Sequence, residues 1–289
     1  MHYNTILSIK NLLNKNHIEE YKILSDSFNI NCFKLIIDKK IYVAKIFKDK
    51  KFFSNSILAE KQNLEYLKSF NLKFFPEIKA FNENILIIDY IKNDDSFSKN
   101  SRNSFLNAII KLHSIKSKQF GLNFDTQIGG MMQPNNQNSN WCNFFSENRI
   151  NYIFELISNS NPMPSEINFK IEKLLKKINN FLPSNIKPTL LHGDLWAGNI
   201  LFFNNKFAGF IDPGSFYGHN ELEIAYLKWL SPKFIDNNFI EKYNDHFKID
   251  KNYYIYEPIY QLYYSLMNVY LWNRLYIQEI NKILKKIKI

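Results

Sequence analysis

His192-Gly193-Asp194, Asn199 and Asp212-Pro213-Gly214 are the residues whose types and spacing could work together chemically. Residues 200–203 and 207–211 are apolar runs flanking Asn204-Asn205-Lys206, which is a hairpin signal. Asp194 and Asn199 precede the first of these strands and Asp212 follows the second. Folding the hairpin back therefore gathers two carboxylates and an amide at one end. Hard oxygen donors of this kind suit Mg²⁺, which keeps some water and is completed by substrate phosphates. The order H-x-D-x-x-x-x-N followed by D-x-G also matches the loop and metal site of phosphoryl-transfer enzymes. Asp194 would then accept the proton of an attacking hydroxyl, while Asn199 and Asp212 would hold Mg²⁺. A polar turn around a buried histidine explains a bare H-x-D, but not the full set in a hairpin context.

Such a site needs a cation for the nucleotide phosphates, supplied by a lysine on the third strand that pairs with a glutamate on the next helix. Val43-Ala44-Lys45-Ile46-Phe47 puts Lys45 on a third strand, and Glu60 falls in the helix that follows. The elements around them read as a short helix at 6–13 and strands at 22–24, 32–37 and 41–47, the last two joined by a tight turn at Asp38-Lys39-Lys40. A helix at 53–70 with Ser54 as its cap follows, then strands at 78–81 and 85–90. The turn from Ser25 to Asn31 contains no glycine, so backbone approach to phosphate has to be replaced there by Ser and Asn side chains. Beyond residue 90 helical periodicity dominates, at 97–113, 141–157, 167–181, 222–230 and much of 253–286. Residues 123–140, with Gly129-Gly130, read as a long polar loop. The fold class is therefore α+β in two lobes with a cleft where they meet, a β-rich lobe over 1–90 and a larger helical lobe over 91–289.

The chain has 289 residues, 45% hydrophobic and 16% aromatic, which supports a sizeable core and excludes a disordered polypeptide. A net charge of +10 can signal a polyanionic partner. Here the lysines are scattered, and Lys, Asn, Ile and Phe are all abundant while Gly and Pro are scarce, so the charge is read as compositional. No nucleic-acid-binding module accompanies it, and no nucleic-acid partner is expected. Cys32 and Cys142 have no metal or redox spacing. Neither a signal peptide nor an apolar run of about 18 residues is present, so no membrane partner is expected, and the cytoplasm is the expected location.

Leu191-His192-Gly193-Asp194-Leu195-Trp196-Ala197-Gly198-Asn199 closely resembles the catalytic motif of the fructosamine (ketosamine-3-) kinases. The similarity continues from Ile211 to Ala225 and at Phe120-Gly121, Ile128-Gly129, Gln133-Pro134-Asn135 and Trp141 to Arg149. Aminoglycoside and choline kinases usually share only the His, Asp and Asn. The resemblance implies a protein-kinase-like fold, ATP with Mg²⁺, and phosphorylation of the sugar 3-hydroxyl of a ketosamine, either a small molecule or a glycated protein. That reaction would serve deglycation. It also implies that Lys45, Glu60, Asp89 and Ile91 serve the nucleotide, the last two in the linker that meets adenine. Trp196 is then either a sugar-facing residue or packing between loop and helix. Gln133, Asn135 and Trp141 are candidates for acceptor binding or for structural roles. His219 stands where the family commonly has Asp, and either alters the charge there or is exposed. His113 reads as a packing residue, and Glu221 and Glu223 as buried carboxylates tying the loop to the next helix. Alternatives are a kinase for an aminoglycoside or amino alcohol, and a degenerate kinase-like binding module.

Overall fold

The structure is a computed structural model and describes residues 1–27, 30–48 and 55–289. Helix α1 (Tyr3–Leu13) precedes strands β1 (Glu20–Ser27), β2 (Ile30–Ile37) and β3 (Lys40–Phe47), then α2 (Ser56–Lys68), β4 (Ile78–Asn82) and β5 (Ile85–Asp89). Next come α3 (Lys99–His113), β6 (Thr126–Ile128), β7 (Met131–Gln133), α4 (Trp141–Phe145), a π-helical stretch at Ser146–Asn151, α5 (Tyr152–Ser160) and α6 (Ser165–Lys177). β8 (Thr189–Leu191), β9 (Ile200–Phe203), β10 (Lys206–Phe210) and β11 (Phe216–Gly218) lead to α7 (Asn220–Leu230), α8 (Asn237–Asn244), α9 (Tyr253–Leu271) and α10 (Tyr276–Ile287). Met1–Ser101, Thr126–Met132 and Asn199–Gly214 form one compact unit; Arg102–Asp125, Gln133–Gly198 and Ser215–Ile289 form a second.

The first unit is built on an antiparallel sheet of order β1-β2-β3-β5-β4. Asp38 and Lys39 link β2 to β3 with φ of 50° and 63°, the left-handed pair that matches the twist of a two-residue hairpin. Asn82 closes the β4–β5 turn by accepting hydrogen bonds from the amides of Asn84 (2.9 Å) and Ile85 (2.8 Å). Side chains alternate across a strand. One face therefore buries Phe33, Leu35, Ile37, Ala44, Ile85 and Ile87 with Ile9 of α1. Lys45, next to Ala44, is sent to the opposite face. Helix α2 begins with Asn55, whose side chain accepts from the Ile57 amide at 3.1 Å. The Ser54 cap and part of the glycine-free turn fall outside the described residues. The β9–β10 hairpin turns on Asn204 and Asn205, with φ of 48° and 58°.

The second unit is mostly helical, and its core is aromatic. Trp141, 1% exposed, stacks on Phe145 with ring centres 5.1 Å apart and donates its indole N–H to the Tyr260 hydroxyl at 2.9 Å. The Arg149 guanidinium lies 3.9 Å from the centre of the Phe216 ring and donates to the Pro134 carbonyl and the Asn135 side chain, each at 2.7 Å. β8 and β11 pair as a two-stranded ribbon that ends at the His192 loop.

The α+β class expected from the sequence is the one observed. Several local readings change. The loop over 123–140 contains β6 and β7, joined by Gly129 and Gly130 at φ of 54° and 88°. Three-residue strands are too short for alternation to reveal them. The helix read at 141–157 is interrupted by the π-helical stretch, and β8, β11 and α8 are elements beyond those the sequence suggests. Among the described residues no helix is long and apolar enough to cross a membrane.

Gly121 tests the packing of the second unit. Its φ is +82°, and a Cβ there would lie 2.4 Å from the Asn135 carbonyl oxygen and 2.8 Å from the Phe144 ring. Gly121→Ala is expected to destabilise the fold by about 2–3 kcal/mol. Urea unfolding reads this directly, and an unchanged midpoint would show that the backbone there can yield.

Candidate active site

In the first unit the site is organised around one amine. Lys45 is buried, and its Nζ donates to Glu60 Oε1 at 2.5 Å and to Asp212 Oδ1. Burial opposes a charge on Lys45, but the Asp212 and Glu60 carboxylates outweigh it and raise the pKa. Burial likewise lifts the Glu60 carboxyl, with Lys45 pulling the other way. One turn along α2, Asn63 donates to the Pro213 carbonyl at 2.7 Å, so a single helix face holds both the lysine and the Asp-Pro segment. Asp212 has φ of 54°, a left-handed conformation that Asp tolerates better than most residues. The Ile211 amide donates to the Asn199 carbonyl at 3.1 Å, which sets Asn199 and Asp212 at the same end of the β9–β10 hairpin.

Among the described residues no group of three or more His, Cys, Asp or Glu side chains could hold a metal ion. One carboxylate, with the Asp212 side chain 43% exposed, and the Asn199 amide nonetheless fit Mg²⁺, which takes the rest of its shell from phosphate and water. Asp89 ends β5 and pairs with Lys79 at 2.8 Å, and its amide is used by the Glu77 carbonyl at 3.0 Å. Asp89 and Ile91 line a cavity of about 730 Å³ with Leu64, Lys68, Phe75 and Ala208. Lys45 and Asp212 are not in its lining.

In the second unit the loop after β8 is held by α7. Glu223 accepts from the amides of His192 (3.1 Å) and Gly193 (2.7 Å) and meets His113 Nε2 at 2.9 Å. Burial pushes the Glu223 carboxyl upward, but the His113 hydrogen bond and the charges and amide around it win, leaving the pKa below its ordinary value. The expected tie between loop and helix is thus formed by Glu223. Glu221 binds elsewhere, to the Asp250 amide (2.7 Å) and the Tyr256 hydroxyl (2.5 Å). His113 is fully buried between Glu223 and Tyr243, in keeping with a packing role. Asp194 is 9% exposed and accepts from the Tyr226 hydroxyl at 3.3 Å.

The expected acceptor-binding residues separate by burial. Trp196 is 40% exposed. Trp141 is instead a core residue, its ring enclosed by Phe120, Phe144, Phe145 and Tyr260. Gln133 is also buried, and its side-chain oxygen accepts from the Tyr263 hydroxyl at 2.7 Å. Asn135 belongs to the Arg149 network. His219 is buried, not exposed, with Nδ1 2.7 Å from the Tyr260 hydroxyl.

The model of the family described as fructosamine kinase matches residues 4–289. The chain belongs to that family. A probable ketoamine kinase of Pasteurella multocida is 28% identical over 257 residues, 87% of each chain. The protein-ribulosamine 3-kinase of Arabidopsis thaliana chloroplasts is 33% identical over 137 residues, 46% of this chain and 39% of that one. A crystal structure from Haemophilus somnus, provisionally named a fructosamine-3-kinase, superposes with a TM-score of 0.82 at 22% identity, covering 97% of this chain and 95% of that one. The fold is therefore protein-kinase-like, and the family makes the chain a phosphotransferase with an alcohol group as acceptor, at family level a ketosamine kinase.

Sequence reading did not pick out Asn63 or Tyr226. Each lies three residues beyond a glutamate already singled out, Glu60 and Glu223, and helical periodicity puts such pairs on one face.

His219 makes a pH-dependent prediction. Burial, then Lys116 and His113, push its pKa down to about 3 from an ordinary value of 6.5. The unfolded chain therefore binds the extra proton first, and stability falls as pH drops below about 6.5, by up to ~1.4 kcal/mol per pH unit. Urea unfolding from about pH 7 to pH 5 should fall off less steeply for His219→Gln than for the unmodified chain. Equal slopes would mean that the folded state also protonates His219.

Proposed function

We propose that the chain transfers the γ-phosphoryl group of ATP to the 3-hydroxyl of a ketosamine, borne by a small molecule or a glycated protein. The observation that carries this reading is the buried Lys45 amine held by Glu60 and Asp212, on the same unit as Asn199. A fixed cation beside hard oxygen donors suits nucleotide phosphates. Residues 1–90, with Ile91, Asn199 and Asp212, supply the nucleotide side of the reaction, Asp89 and Ile91 toward the base. The rest of 91–289 supplies Asp194 and the acceptor side. The ketosamine class is supported by the ribulosamine 3-kinase relative and by the exposed ring of Trp196 in the catalytic loop, since an aromatic face packs well on sugar C–H groups. The requirement for ATP agrees with work in the cytoplasm.

Asp194 takes the proton as the acceptor O–H bond breaks. The freed electron pair forms the new O–P bond, the γ-phosphorus separates from the bridging oxygen, and ADP leaves with that pair. Lys45 neutralises phosphate charge. Mg²⁺, held by Asn199 and Asp212, would supply further neutralisation of the phosphates. The 3-phosphate weakens the sugar–amine adduct, which releases the amine.

Mg-ATP offered with ketosamines, aminoglycosides and amino alcohols should give turnover with the ketosamines; turnover of aminoglycosides alone would overturn the substrate assignment. Asp194→Asn should lower kcat at least about 10³-fold while leaving ATP affinity within a factor of about three, as expected for a base acting in the transition state. Calorimetric ATP titration beside the kinetic assay separates the two effects.

A further inference from the structure

We propose that Tyr226 is a positioning residue for Asp194, fixing the carboxylate through its hydroxyl while Tyr264 holds the Tyr226 ring in place. This rests on Asp194 being the base that accepts the hydroxyl proton.

Tyr226 lies one turn beyond Glu223 on α7, so the helix face that grips the His192 and Gly193 amides also presents a phenol to the next residue of the loop. The Tyr226 hydroxyl donates to Asp194 Oδ1 at 3.3 Å. Its ring lies parallel to that of Tyr264 on α9, with centres 3.5 Å apart and planes 2° from parallel. The Tyr264 hydroxyl donates to the Gly193 carbonyl at 3.4 Å. Three consecutive loop residues, His192 to Asp194, are thus held by groups from α7 and α9. Both phenols are fully buried or nearly so, and neither ring can turn away without opening the stack.

Among the described residues, Tyr226 on α7 and Tyr263 and Tyr264 on α9 interact electrostatically with Asp194; Glu223 on α7, His192 in the loop and Arg149 on the π-helical stretch interact in turn with members of that group. Burial, then the Asp194 charge, hold the Tyr226 phenol protonated well above the ordinary range, so it stays a donor wherever the enzyme works. A donor to the charged carboxylate favours its ionised form. Removing the donor raises the pKa of the base, and activity is then lost at a higher pH on the acid side.

Tyr226→Phe keeps the ring and removes only the hydroxyl. The expected result is a fall in kcat of about tenfold, as for a lost hydrogen bond to a charged group, with KM for ATP unchanged and the acid limb of the kcat profile moved to higher pH. Tyr264→Phe keeps the Tyr226 hydroxyl and should leave that limb in place. Asp194→Asn is measured alongside. Tyr226→Phe with an unmoved acid limb overturns the proposal, whether kcat is unchanged or lowered, because a merely structural role lowers turnover without moving the limb. If Asp194→Asn is inactive and Tyr226→Phe behaves like the unmodified chain, only the positioning role fails. If Asp194→Asn stays active, the assignment of the base fails and the positioning role falls with it.

Discussion

A buried ammonium between two carboxylates is the constraint on which the first unit depends. Removing a lysine from water costs several kcal/mol, offset only by partners held in good geometry. The Lys45 partners come from different places, Glu60 from a helix and Asp212 from the end of a hairpin. Neither alone would leave the amine fully compensated in a buried setting. The requirement propagates outward. Helix α2 must start at a defined point, which Asn55 sets, and it must also hold Pro213 through Asn63. The residue before that proline accepts a left-handed backbone to bring its carboxylate in.

The second unit solves a different problem, how to keep a glycine-containing loop rigid. Gly193 sits at φ of 85°, and Glu223 accepts from its amide and from that of His192 inside the protein. A buried carboxylate is a strong acceptor for such amides, and His113 Nε2 meets it from the other side. The result is a loop fixed by hydrogen bonds as well as by the buried side chains of Leu191 and Leu195. Elsewhere in the unit, packing is concentrated in the aromatic cluster around Trp141 and Tyr260.

Much of this was legible in the sequence because backbone periodicity and motif spacing are local. The strand around Lys45, the turn residues Asp38 and Asn204, and the run from His192 to Asn199 each lie in a short window, and Lys45, Glu60 and Asp212 follow from the order of the elements that carry them. What was not legible depends on contacts across many positions. Nothing near Trp141 in the chain announces that Tyr260 receives its indole N–H, so its enclosure in the core could not be read locally. The same holds for His219, whose burial is decided by α9. Strands of three residues, such as β6 and β7, carry too little pattern to stand out from a polar loop.

The loop carries one further dependence. A methyl group at position 198 would come within 2.4 Å of the Trp196 indole. The way that ring faces is therefore written at position 198 as much as at 196. Any side chain larger than hydrogen at 198 would swing the indole aside while leaving the tryptophan itself in place. The two positions form one unit of inheritance, and across related sequences a bulkier residue at 198 should travel with a smaller one at 196.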